Sequence, residues 1–357
     1  MQVEENISLA PFTTLRIGGR ARFFAQVRSE TQLLEAVVFA RQNHLPAFVL
    51  GGGSNLVVPD ETFRGVVLKI ALPERIERSE VGRAIYFEVS AGTDWDVLVR
   101  QLCEQGISGM ECMAGIPGLV GGAPIQNIGA YGQEVSQTID AVRVFDLTTL
   151  TFVELTREEC QFSYRTSLFN STEKNHYVVI SVRFRLDSTA LPNLSYADLE
   201  ALRGTNPTPL EVYHAVRAIR DRKGMLIDPE QPRPESRSAG SFFKNPVVHA
   251  SVLRRIAKAL SIDSGDVPHW LTASGEVKLP AAWLIERTGF PKGFVLEPNA
   301  PVGISPRHTL ALINRSGTAT CADLLELRDH IVEAVEKLLG VSLEQEPVMM
   351  ERPPLGN

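Results

Sequence analysis

GIPGLVGGAPIQNIGAYG, residues 115–132, sets six glycines among small apolar residues and two side-chain amides. That composition makes a poor helix and a poor strand, because glycine loses most conformational freedom in either and brings no side chain to pack. Such a segment can instead lie flat against a large planar ligand, with Gln126 and Asn127 reaching its polar edge. The plainer alternative is a buried irregular crossover, which must find partners for many backbone groups. A second cluster, Gly51-Gly52-Gly53-Ser54-Asn55, follows the short apolar run Ala47–Leu50. Its amides can converge on an anion without interference from Cβ atoms, and Ser54 and Asn55 add donors. Alone, this cluster reads as an ordinary tight turn. No Walker Gly-Lys-Ser/Thr exists, and the third Rossmann glycine is replaced by Leu56. Two such segments in one chain favour an extended ligand with a diphosphate and a ring, a dinucleotide.

Around these segments the pattern is mixed α and β. Ser29-Glu30-Thr31-Gln32 reads as a capping box opening a helix with Leu33, Leu34, Val37 and Val38 on its apolar side. From about residue 65 to 190 strands dominate, with Val142–Leu147 and Phe152–Leu155 flanking a Thr-Thr turn. Val178–Leu186 alternates as a half-buried strand, with Ser181, Arg183 and Arg185 on the polar face. Thr208 caps a helix running to about Arg222, with Pro209 in its first turn. Residues 224–240, with Pro229, Pro232 and Pro234, read as a linker or loop. The clearest helix runs from cap Thr320 to about Leu339, burying Leu324, Leu327, Ile331, Val335 and Leu338, and stops at Gly340. Val341–Met350 would be a closing strand.

At 357 residues the chain is long enough for about two to three domains. Its 36 basic and 42 acidic residues give a net charge of −6, which argues against a general binder of nucleic acid or anionic membrane. Glu4 and Glu5 stand where a signal peptide needs basic and then apolar residues, and no run approaches a membrane span. Cys103, Cys112, Cys160 and Cys321 form no CxxC pair and read as buried free thiols of a cytoplasmic protein. No histidine pair has metal-ligand spacing, so no metal site is expected.

The segment 115–132, preceded by LGGGSNLVV and TTLRIGG, resembles the UDP-N-acetylenolpyruvoylglucosamine reductases. Further matches are Tyr164-Arg165-Thr166-Ser167, the run Ala239–Pro246 (AGSFFKNP), Pro280–Glu286 (PAAWLIE) and Leu343–Glu346 (LEQE). Together they span roughly residues 13 to 348 in family order. The resemblance implies an α+β flavoprotein with an FAD-binding domain of the vanillyl-alcohol-oxidase type, built from two subdomains, plus a C-terminal α+β substrate domain. The expected division is 1–70 with 341–357, then 71–225, then 226–340. The implied reaction reduces an enolpyruvyl ether on UDP-N-acetylglucosamine to UDP-N-acetylmuramate for peptidoglycan synthesis, with NADPH as the reductant and a monomer as the working unit. Alternatives are another flavin-dependent oxidoreductase of the same fold, such as an alcohol oxidase, or a non-catalytic nucleotide-binding module.

The resemblance also assigns residues. Arg165 would hold the substrate carboxylate and the developing enolate; read alone, it is an exposed strand-end arginine. Ser241 would protonate C2; read alone, it is a helix cap after Gly240. Glu346 would hydrogen-bond the enolic carboxylate, and Glu344, two residues earlier, would share its face on a strand. FAD contacts are expected from Gly51, Gly52, Gly53, Ser54 and Asn55, and from Ile116, Pro117, Gly121, Gly122, Ala123, Gln126, Asn127, Gly129, Ala130 and Tyr131. Substrate contacts are expected from Tyr196 on a closing loop, Lys223 and Asn245, with Trp270 and His308 as further candidates. Without the resemblance, these read as a packing tyrosine, a solvated lysine and a turn asparagine.

Overall fold

The computed structural model describes residues 1–227, 233–272 and 274–351. Strands Glu4–Ser8, Arg20–Val27, Phe63–Ile70 and Ala47–Leu50 lie in that spatial order in one sheet, the first pair antiparallel and the others parallel. Helix Glu30–Gln42 is the crossover into Ala47–Leu50. Ser29 caps it by accepting from the Gln32 amide at 3.2 Å. Gln32 does not close the expected box on Ser29; its Oε1 accepts from the Arg28 amide, one residue earlier. The buried stripe is Leu33, Ala36, Val37 and Ala40. Leu34 is exposed and Val38 half-buried, because each sits about 100° around the helix from a stripe position.

A five-stranded antiparallel sheet follows, in the order Thr151–Thr156, Ile139–Asp146, Tyr177–Asp187, Ala84–Ser90, Ile76–Val81. Tyr177–Asp187 is its centre, and here the half-buried expectation holds only toward the strand's end. Val179 and Ser181 are buried as well as their apolar neighbours. The one-turn helix Val120–Gly122 packs against this strand, so its first half has no free face. Both sheets share one core with helices Trp95–Glu104 and Pro209–Arg222.

A second core gathers helices Ser251–Leu260, Ala281–Arg287 and Cys321–Leu339, together with Leu15, Ile17 and Val57 from the first part of the chain. The long helix is capped by Thr320 and additionally by Asp60, whose carboxylate accepts from the amides of Cys321 and Ala322 at 2.7 and 2.9 Å. It ends at Gly340, φ +61°, with Leu339 buried and Leu338 exposed, the reverse of the expected stripe end. On the helical period Leu338 stays close to the 324–335 stripe, so its exposure reflects the packing of the last turn, where Arg255 Nε donates to Leu339 O, and not the periodicity. The expected closing strand shrinks to Val348–Met349, parallel to Leu56–Val57. Residues before it bond instead to the Phe242–Lys244 segment, through Lys244 N–H to Glu344 O and Glu346 N–H to Phe242 O, both 2.9 Å.

Part of the proline-rich stretch is not loose. Arg237 and Ser238 add to the hairpin Val302–Ile304/Leu312–Asn314, with Arg237 Nε donating to Asn314 O at 2.7 Å and Ser238 bridging Ile313. Pro229 and Pro232 lie outside the described residues. No helix among the described residues is long and apolar enough to cross a membrane.

Glu111 ties several of these pieces together. Its fully buried carboxylate accepts from Gly109 N, Gln133 Nε2 and Asn193 N at 2.6, 2.8 and 2.8 Å. Glu111→Ala strands three buried donors, and a loss of about 3–5 kcal/mol is expected from urea unfolding.

Candidate active site

One cavity of ≈ 1220 Å³ runs between the two cores. Both glycine segments line it. Residues 51–55 leave strand Ala47–Leu50 with all carbonyls but one engaged: Gly51 O by Lys69 Nζ, Gly53 O by Thr14 N, Ser54 O by Thr14 Oγ1 and Asn55 O by Val348 N. The amides of residues 52–55 have no acceptor among the described residues. Gly53 has φ +64°, and a Cβ there would stand 2.0 Å from Phe12 O, so only glycine fits. A Cβ at Gly51 would meet nothing within 4 Å. A concave turn with free amides is a fitting cradle for a diphosphate.

The second segment answers the question of its backbone partners. Gly115 N–H donates to Asp96 Oδ1, while Tyr213 and Arg217 hold the other Asp96 oxygen. Val120 and Gly121 donate to Thr93 and Ala91 at 2.9 and 3.0 Å, and Gly118 O accepts from Trp95 N. A Cβ at Gly121 would approach Ala91 Cβ to 2.6 Å, whereas Gly122 faces open space. The segment is thus pinned on one side and bare on the other. Ile116, Pro117, Ala123, Gln126, Gly129, Ala130 and Tyr131 all line the cavity.

Asn127 does not. It is fully buried with φ +44°, donating to Glu134 Oε2 and Ser163 O and accepting from Ser136 N. Every polar group of its side chain is engaged within the protein, so it supports the site from behind instead of touching a ligand. Gln126 Nε2 donates to Glu346 O at 3.1 Å and its Oε1 accepts from Asn55, which joins both glycine segments to the chain's end.

Arg165 sits at the tip of a tight turn closed by paired hydrogen bonds between Ser163 and Thr166. Its φ is +54°, a conformation that costs roughly 1–3 kcal/mol for a non-glycine residue. The turn is locked by Asn170 Nδ2 on Arg165 O and by buried Ser167, whose Oγ donates to Ile125 O at 2.6 Å. The strand-end reading of Arg165 therefore gives way to a strained, braced turn. Its guanidinium donates to Glu346 Oε1 at 2.9 Å, Gly129 O at 2.7 Å and Asn127 O at 3.3 Å. Burial raises the Glu346 carboxyl above its ordinary range, against the pull of Arg165, Lys244 and Lys278.

Glu344 lines the same cavity but is held apart from Arg165: it is exposed and pairs with Lys244 at 2.5 Å, while Glu346 is mostly buried and pairs with Arg165. The backbone here is irregular, and strand alternation does not apply. Ser241 faces the same cavity, after Gly240 at φ +73°. No helix follows, so it is not a cap. Phe242 N–H donates to Leu310 O at 2.7 Å and Phe242 O accepts from Glu346, with Phe242 and Phe243 buried as anchors. One residue thus separates Ser241 from the segment that carries Glu346. No partner among the described residues takes the Ser241 hydroxyl.

At the other end Tyr196 meets Tyr131 edge-on at 5.3 Å, and Lys223 Nζ lies 5.2 Å from the Tyr131 ring and 2.6 Å from Asp198. Asn245 lines the cavity while its Oδ1 accepts from Ala281 N at the start of helix Ala281–Arg287. Trp270 is more than half exposed and does not line the cavity. His308 does, and its Nδ1 accepts from Leu310 N. Burial, helped by Lys223 and Lys292, pushes its pKa down to about 4. A histidine depressed from about 6.5 binds fewer protons folded than unfolded, so stability is lost as pH falls through that window. Between pH 7 and 5 the wild type should lose about 2 kcal/mol more than His308→Gln in urea titrations.

Sequence reasoning missed Lys278 and Arg220. Lys278 Nζ stands 3.5 Å from the Tyr164 ring centre, beside Arg165. Arg220 is buried and donates to Gly115 O and Met225 O. Neither carries a local signal; each is brought in by its strand or helix. The four cysteines are free and buried, with Cys112 and Cys160 pushed up to about 12, so no thiolate is available at neutral pH.

Residues 21–154 match the model of an FAD binding domain, and residues 231–350 that of the UDP-N-acetylenolpyruvoylglucosamine reductase C-terminal domain. The chain is similar to the UDP-N-acetylenolpyruvoylglucosamine reductase of Thermobifida fusca (strain YX), 42% identical over 353 residues and 97% of each chain. That of Paraburkholderia xenovorans (strain LB400) is 41% identical over 337 residues and 93% of each. The crystal structure of the corresponding Thermus caldophilus reductase superposes with a TM-score of 0.64 at 28% identity, covering 98% of this chain and 99% of that one. On the strength of near-complete coverage at about 40% identity, the chain belongs to the UDP-N-acetylenolpyruvoylglucosamine reductase family.

Proposed function

We propose that the cavity reduces the enolpyruvyl ether of a UDP-sugar with Arg165, Ser241 and Glu346 as the residues at the reacting atoms. The family activity is an FAD-dependent reduction with NADPH as co-substrate, on the path to UDP-N-acetylmuramate and peptidoglycan. The observation that carries the residue assignment is the joining of Arg165 to Glu346 in the same cavity that bare Ser241 lines.

The chemistry the flavin supplies when bound is hydride transfer, from NADPH and on to C3 of the enolpyruvyl group. Residues 51–55 would hold the diphosphate and residues 116–131, Asn127 excepted, the flavin ring. After addition at C3, negative charge develops at C2 and spreads into the carboxylate. Arg165 is permanently charged and already aimed, so it stabilises that charge without reorganising. Glu346, its carboxyl raised by burial, can present a proton to the carboxylate oxygen instead of a repelling charge. Ser241 then donates its hydroxyl proton to C2; an enolate is basic enough to take it from a neutral hydroxyl held close. Lys223, Tyr196 and Asn245 would hold the UDP diphosphate and sugar, with Lys278, Lys244 and Arg220 adding to a positive cavity suited to a multiply anionic substrate.

The division 1–70 with 341–357, 71–225 and 226–340 is supported by where the sheets fall, although residues 352–357 lie outside those described. The working unit proposed is a monomer acting on small molecules. Four buried free thiols suit a reducing cytoplasm.

The test is anaerobic stopped-flow absorbance. The yellow protein should bleach with NADPH and regain its colour within milliseconds to seconds on addition of UDP-N-acetylenolpyruvoylglucosamine. Bleaching without recovery would discard the substrate assignment, and recovery with an alcohol's aldehyde alone would point to the oxidase alternative.

A further inference from the structure

We infer that Lys69 is a positioning residue for the flavin diphosphate, its ammonium held against the back of the 51–55 turn so as to aim the turn's amides and place a positive charge beneath the phosphates. This rests on the reading of residues 51–55 as the diphosphate cradle.

Lys69 lies in strand Phe63–Ile70, paired with Leu50 at the end of the neighbouring parallel strand. Its neighbours Val66, Val67 and Leu68 are fully buried core. A lysine in such a strand would ordinarily find a carboxylate or reach solvent. Lys69 does neither. No acidic group lies within ion-pair distance of it among the described residues, and its hydrogen bond is to Gly51 O. Burial alone moves its pKa, downward, with no neighbouring charge contributing. The ammonium is a partly desolvated cation whose hydrogen bond goes to a peptide carbonyl and not to a counter-ion.

The peptide geometry gives that cation a direction. In a planar trans peptide the C=O and the following N–H point opposite ways. Holding Gly51 O toward Lys69 therefore turns the Gly52 N–H away from the strand, to the side where the amides of residues 52–55 stand without acceptors. Gly51 itself faces open cavity, with nothing within 4 Å of an added Cβ. A dianionic linkage in the turn would meet the free amides in front and the ammonium behind, through one peptide unit. The missing counter-ion of Lys69 and the missing acceptors of the turn are then the same group.

Dissociation of FAD from the full-chain holoenzyme on dilution, followed by flavin fluorescence, tests this against riboflavin titrated into the flavin-stripped chain. Riboflavin has the ring and no phosphate. Lys69→Met should weaken FAD roughly 10- to 100-fold, leave riboflavin within about twofold, and leave the melting temperature of the stripped protein unchanged or higher, since a partly buried charge without a counter-ion is removed. Lys69→Arg should keep most of the FAD affinity. Unchanged FAD affinity in Lys69→Met, or equal weakening of FAD and riboflavin with a lower melting temperature, would overturn the inference. If the wild type itself binds riboflavin as tightly as FAD, it is the diphosphate reading of residues 51–55 that fails. If the wild type prefers FAD and Lys69→Met keeps that preference whole, only the role of Lys69 fails.

Discussion

Ser241→Ala should leave the bleaching of the yellow protein by NADPH nearly unchanged while slowing the return of colour with enolpyruvyl substrate by roughly 10²–10⁴-fold, the usual worth of a positioned proton donor. The asymmetry follows from where the residue stands. Its hydroxyl lines the cavity and has no partner among the described residues, so its loss strands no buried group. The backbone on either side is held by Phe242 N–H on Leu310 O and by Glu346 N–H on Phe242 O, neither of which involves the side chain. Binding and folding should survive, and only the step that needs a proton at C2 should suffer. Ser241→Cys should recover part of the rate, because a thiol can still donate. Equal slowing of both half-reactions in Ser241→Ala would remove the proton-donor role.

Arg165→Lys is the second large effect, although it conserves charge. The guanidinium contacts Glu346, Gly129 O and Asn127 O in different directions, and one ammonium on a flexible stem cannot reproduce that fork. The substrate carboxylate would lose its aimed donors, and reoxidation by substrate should slow by roughly 10²–10³-fold, the range seen when one oxyanion-stabilising donor is removed. Glu346 would also lose the guanidinium hydrogen bond that helps hold its carboxyl down, so its already raised carboxyl should rise further and the pH profile of reoxidation should move to higher pH. Rapid-mixing rates across pH would check both. An unchanged rate constant with only weaker substrate binding would place Arg165 in ground-state recognition instead.

Much of the local structure was legible because it is decided by neighbours in the chain. Thr208 with Glu211 and Thr320 with Asp323 close their capping boxes as the residue types require. The helix start at Ser29 was legible too, but the partner of Gln32 was not, since Ser29 and Arg28 offer amides one residue apart. Asn127 shows the same limit in the site. An amide in a glycine-rich segment reads as a ligand contact, yet φ +44° turns this one inward, where Glu134, Ser163 and Ser136 use all its hydrogen-bonding capacity.

By itself the sequence determined the two glycine-rich segments, the helices with their caps, the alternating strands and the motif series that marks the family, because each depends on backbone preference or on residue types close together in the chain. The tertiary structure alone decided that Glu346 and not Glu344 meets Arg165, that Ser241 faces a cavity instead of capping a helix, and that Lys69 lies under the first glycine turn. Those relations join residues 181 positions apart in the case of Arg165 and Glu346, and they are set by which buried apolar surfaces pack together, a global condition that no local pattern encodes.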